Sequence, residues 1–63
     1  MKMNRSDYQE IEMPNGTYVV ENRVGSWMAW APDEEQPFIA HPQYEMVMTF
    51  VRQDSKENYE HEQ

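Results

Sequence analysis

This chain of 63 residues can form no disulfide, because it contains no cysteine. A chain of this length buries about 60% of its unfolded surface on folding. Domains so small are commonly held together by disulfides, a metal or a second subunit. Without thiols, the disulfide route and thiolate metal sites are both closed, and every redox compartment stays open. What is left is an efficient core or association with another chain. Association, as a homodimer, is the expectation here.

The core must also be built without leucine. Its aliphatic residues are five valines, two isoleucines and six methionines, and aromatics make up 13% of the chain. Leucine is a strong helix former, whereas valine, isoleucine and aromatic side chains suit strands. The composition therefore predicts a mostly β protein, with too many aromatics for a disordered chain.

Alternation places the strands. Tyr8 to Met13 reads as a first strand with Ile11 and Met13 on one face. Pro14-Asn15-Gly16 has turn chemistry, since proline presets φ and both asparagine and glycine tolerate positive φ. Thr17 to Glu21 returns, with Tyr18 and Val20 facing one way and Thr17, Val19 and Glu21 the other. A second turn falls at Glu21 to Ser26, where Gly25 is free to take positive φ. Ser26 to Ala31 is a third strand, ended by Pro32, with Met28 and Trp30 opposite Trp27, Ala29 and Ala31. Phe38 to Ala40 is a short further strand.

Residues 42–52 fit two periods. As a strand, they line up Tyr44, Met46, Met48 and Phe50. As a helix, they form an i, i+3, i+4, i+7 stripe of Tyr44, Val47, Met48 and Val51. The β-branched and aromatic residues Val47, Thr49, Phe50 and Val51 favour the strand. The fold expected is a small antiparallel meander of about three to five strands, or α+β if residues 42–52 are helical. It forms one domain, residues 7–53, between a frayed N-terminus at 1–6 and a flexible, polar, acidic C-terminal tail at 54–63. A sheet apolar on both faces needs a cover for each. That cover is the chain itself closed into a small barrel, a second copy, or another protein.

Charge narrows the function. Twelve acids against five bases give a net charge of −7. Direct binding to nucleic acid or to an anionic membrane rewards clustered Lys and Arg, so neither is expected. No stretch approaches the roughly 20 apolar residues of a membrane span, and the first ten residues lack a leader-like apolar run. A cytoplasmic protein is expected. Its acidic residues, among them Asp33, Glu34 and Glu35, either keep the surface solvated or present spaced carboxylates to a basic protein groove built to accept negative charge.

Catalytic signatures are missing. Ser6, Ser26 and Ser55 have no nucleophile-elbow setting, and the two glycines form no phosphate loop. His41 and His61 are too few for a zinc site, and Glu57, Glu60 and His61 lie on a segment with no evident scaffold. No enzyme activity, metal or cofactor is expected. His41-Pro42-Gln43 resembles the core of peptides selected to bind streptavidin. It is read here as a turn stiffened by Pro42.

The two tryptophans complete the case. In a strand, Trp27 and Trp30 face opposite sides, which predicts one ring in the core and one at an interface. Candidate partner-binding residues are thus Trp30, Asp33, Glu34 and Glu35. The function expected is a small acidic protein-binding module that docks on a basic surface of a nucleic-acid-handling host protein. In format it is similar to accessory inhibitors of phages and mobile elements. The alternatives are a self-associating structural β domain and a small apolar-ligand binder.

Overall fold

The computed structural model describes the backbone of residues 7–61 and the side chains of residues 7–58. Four strands, β1 (Tyr8–Met13), β2 (Gly16–Arg23), β3 (Ser26–Trp30) and β4 (Ile39–His41), are followed by one helix, α1 (Tyr44–His61). The strands form an antiparallel sheet in the order β1-β2-β3-β4. The expected meander is therefore present, and the chain is α+β. The expected frayed N-terminus, residues 1–6, lies outside the described residues, as do 62–63 at the far end of the expected tail, whereas residues 54–61 of that tail continue α1.

Two tight turns set the register. Met13 pairs with Gly16 across Pro14-Asn15, and Gly16 has a φ of 138° that side-chain-bearing residues rarely adopt. A Cβ there would also stand 2.8 Å from Pro32, so the start of β2 is packed against the second residue beyond β3. Arg23 pairs with Ser26 across Val24-Gly25, whose φ angles are 51° and 80°. Two consecutive positive φ values make the mirror-image turn that matches strand twist. Valine is an unusual choice at its first position, because a β-branched side chain is strained there.

With register set, one sheet face gathers Ile11, Met13, Tyr18, Val20, Trp27, Ala29 and Ile39. The helix lies on this face and adds Tyr44, Val47, Met48 and Val51. Tyr18, Val20, Ala29, Val47 and Val51 are completely buried. The Trp27 ring meets Tyr44 edge-on, with centroids 4.9 Å apart. Each such aromatic pair adds about 0.5–1.5 kcal/mol beyond its buried area.

The strand preferred from the sequence for residues 42–52 is corrected to a helix from Tyr44 onward. A further strand would have lengthened the sheet and left its apolar face uncovered. One helical stripe covers it instead, so tertiary burial overrides the β propensity of Val47, Thr49 and Val51. Met46 and Phe50, core positions in the strand register, are exposed. The Thr49 hydroxyl donates to the Glu45 carbonyl at 3.0 Å, which satisfies it within the helix. His41-Pro42-Gln43 does form the link into the helix. The Gln43 N–H donates to His41 Nδ1 at 3.0 Å, and the Gln43 carbonyl accepts the Val47 N–H.

Polar bonds anchor the helix at both ends of the sheet. The Tyr44 hydroxyl donates to Gln9 Oε1 at 2.7 Å. Further along, Tyr18 OH donates to Asp54 Oδ2 at 2.5 Å, and Ser55 Oγ donates to Asn15 Oδ1 at 2.6 Å. Asn15 Nδ2 donates to the Tyr18 oxygen, closing a ring of side chains between the first turn and the helix. Ser55 is buried, and among the described residues no buried polar side-chain atom lacks a partner.

Candidate functional site

The face of the sheet away from the helix is open. β2 contributes Thr17, Val19, Glu21 and Arg23 to it, and β3 contributes Met28 and Trp30. Val19, Met28 and Trp30 are half-buried there, while Trp27, three residues from Trp30, lies in the core. The strand alternation thus splits the two tryptophans between faces.

The loop from Ala31 to Phe38 folds along the edge of this open face. Pro32 and Pro37 stiffen its two ends. Asp33 holds a φ of 65°, a left-handed conformation that aspartate tolerates. The Glu34 N–H donates to the Ala31 carbonyl at 3.2 Å, and the Phe38 N–H donates to the Ala29 carbonyl at 2.8 Å. These bonds turn the chain so that Asp33, Glu34 and Glu35 line one groove with Trp30. The four residues singled out from the sequence are therefore brought together, around a volume of about 620 Å³.

The strands add two charged residues that the sequence reading did not select. Glu21 and Arg23 are ion-paired at 3.1 Å. The Arg23 guanidinium lies over the Trp30 ring, 5.3 Å from its centroid. Arg23 pairs with Ser26, whereas Trp30 pairs with Val19. To reach the ring, the guanidinium passes back across the Glu21–Met28 pair. Alternation placed Glu21 on this face, but only the β2–β3 register shows that Arg23 reaches Trp30.

Behind the loop lies a second groove of about 590 Å³, between Asn15, Phe38, Asp54 and Asn58, which Asp33 and Glu34 also line. Its residues Asn15, Asp54 and Asn58 are already hydrogen-bonded. Asn58 Nδ2 donates to the Asp54 carbonyl at 2.8 Å and approaches Asp54 Oδ2 at 3.2 Å. Burial, reinforced by the hydrogen bond to Asp54, raises the Tyr18 pKa above its ordinary 10.0. Raised in this way, Tyr18 stays protonated at neutral pH and donates its hydrogen bond to Asp54.

Among the described residues, no three His, Asp or Glu side chains come together to hold a metal. The Glu60 and His61 side chains of the sequence candidate fall outside them. No described helix is long and apolar enough to cross a membrane. Comparison with protein-family models, with curated proteins and with solved structures finds no match to this chain.

Proposed function

We propose that this chain is a non-enzymatic protein-binding module that docks through its open sheet face on a basic surface of another protein. The observation that carries this reading is the convergence of Trp30 with Asp33, Glu34 and Glu35 on one groove. An aromatic anchor beside several carboxylates is suited to a surface that offers both an apolar contact and positive charge. The net charge of −7 would speed encounter with such a surface. In its concrete form, the partner is a nucleic-acid-handling host protein in the cytoplasm. The chain would then act as an inhibitor that occupies a groove meant for phosphates, in the manner of phage or mobile-element accessory proteins.

A pull-down from host lysate at low and high salt tests this, with Trp30→Ala and a charge-reversed Asp33→Lys/Glu34→Lys/Glu35→Lys chain run in parallel. The expected result is one basic, nucleic-acid-handling protein retained at low salt by the unaltered chain and lost from both variants. Equal retention by all three chains would overturn the reading.

A second reading, self-association, is favoured by the apolar strip of Val19, Met28 and Trp30 on the open face. Charge weighs against it. Two copies joined by this face would approach with Glu21 and the 33–35 run on each side, and like charges across an interface are costly. A dimer in light scattering that persists at low salt would favour this alternative.

A further inference from the structure

The contact between Arg23 and Trp30 says what kind of group the groove accepts. A guanidinium already lies on the Trp30 ring, with a carboxylate oxygen of Glu21 3.1 Å from its Nη2. Stacking on an aromatic face while pairing with a carboxylate is arginine chemistry, and the strongly hydrated ammonium of lysine performs it less well. This arginine is weakly held, since its side chain is 57% exposed. It stands at the end of β2, beside the two-residue turn, and has to reach back past one pair of residues on this face to meet the ring. Further carboxylates, those of Asp33, Glu34 and Glu35, line the same groove, and Arg23 is ion-paired to none of them.

We propose that the groove over Trp30 takes an arginine side chain of the protein partner, and that Arg23 occupies this position until the partner displaces it. The inference rests on the docking function proposed above and supplies its chemical specificity. Arg23 keeps the ring covered and offsets part of the acidic field in the unbound chain. An incoming arginine exchanges one stacked guanidinium for another and adds contacts with the acidic loop. Arg23, once released, has Glu21 as its remaining partner.

The test uses hexa-arginine and hexa-lysine peptides of equal length, titrated at physiological ionic strength and followed through the Trp30 indole N–H signal in NMR. Arg23→Ala removes the internal competitor. Because it also removes one positive charge, Arg52→Ala, an exposed arginine on the helix, serves as the charge-matched control. The expected result is hexa-arginine binding about two- to five-fold tighter to Arg23→Ala than to Arg52→Ala, the range that one exposed cation–π contact corresponds to. Arg23→Lys should fall between Arg23→Ala and the unaltered chain, and hexa-arginine should bind more tightly than hexa-lysine throughout. Equal affinity of Arg23→Ala and Arg52→Ala, or of the two peptides, would overturn the proposal. The docking reading would survive that result if reversal of Asp33, Glu34 and Glu35 still abolished binding. Binding of hexa-arginine that is absent, or unaffected by that reversal, would overturn both.

Discussion

The Tyr18 hydroxyl donates to Asp54 Oδ2 at 2.5 Å, joining the second strand to the helix across 36 positions of sequence. The same phenol oxygen accepts from Asn15 Nδ2 at 3.1 Å, and Asn15 in turn accepts from Ser55. The fold is closed at this end by a polar ring rather than by more apolar surface. That arrangement makes stability depend on one hydroxyl.

Tyr18→Phe keeps the ring and removes the donor. A hydrogen bond to a charged acceptor contributes about 1.5–3 kcal/mol, a large share of the roughly 3–9 kcal/mol expected for a domain of this size. Urea unfolding should therefore show a lower midpoint with an unchanged slope. An unaltered midpoint would mean that water replaces the bond without loss.

The same residue sets an alkaline limit. Burial, then the bond to Asp54, raises the folded pKa of Tyr18 above its ordinary 10.0. Below about pH 10 the tyrosine is protonated in both folded and unfolded chains, so its contribution is fully present. Above that, the unfolded chain releases the proton first and binds fewer protons than the folded chain. Stability then falls as pH rises toward the folded pKa. Midpoints measured from pH 8 to 11.5 should drop steeply above 10, and Tyr18→Phe should flatten the drop. A similar drop in the variant would assign the effect to other groups.

The hairpin tip carries removable strain. Val24 combines a φ of 51° with a side chain fully exposed to solvent. Left-handed backbone in a bulky residue costs on the order of 1–3 kcal/mol, and asparagine is favoured at this turn position. Val24→Asn should raise stability by about 1 kcal/mol, which corresponds to about 4–8 °C in Tm for so small a domain. A scanning calorimetry trace with no increase would argue against the turn geometry.

The two glycines should respond unequally to alanine. Both hold positive φ, so both substitutions carry backbone strain. A Cβ on Gly25 meets nothing within 4 Å, whereas one on Gly16 meets Pro32 at 2.8 and 2.9 Å. Gly16→Ala should lose at least about 1 kcal/mol more than Gly25→Ala, since overpacking alone costs about 1–3 kcal/mol. Equal losses in parallel urea titrations would mean that Pro32 yields freely.

Alanine substitutions along the helix separate the two periods that residues 42–52 allow. Val51 is completely buried, and Val51→Ala should cost about 2 kcal/mol from lost transfer and the remaining cavity. Met46 and Phe50 are 38% and 36% exposed, so Met46→Ala and Phe50→Ala should each cost less than Val51→Ala. The reverse order in thermal melts would restore the strand.

Much of the sheet was readable from local pattern. Ile11 with Met13, Tyr18 with Val20, and Trp27 opposite Trp30 follow from strict alternation, a property of each strand taken alone. The turns at Pro14-Asn15 and Val24-Gly25 are marked by residues suited to special φ values, except that Val24 itself works against its turn. The acidic loop between Pro32 and Pro37 was equally visible as a segment.

Tertiary structure decided what local pattern left open. Residues 42–52 place apolar side chains on one side in either period, and β propensity pointed to the strand. They are helical because the face bearing Tyr18, Val20, Trp27 and Ala29 needs a cover that a further strand cannot provide. The meeting of Arg23 with Trp30, like that of Tyr18 with Asp54, depends on register and packing between distant segments. Alternation is written into neighbouring residues, whereas burial and long-range pairing exist only once the whole chain has folded.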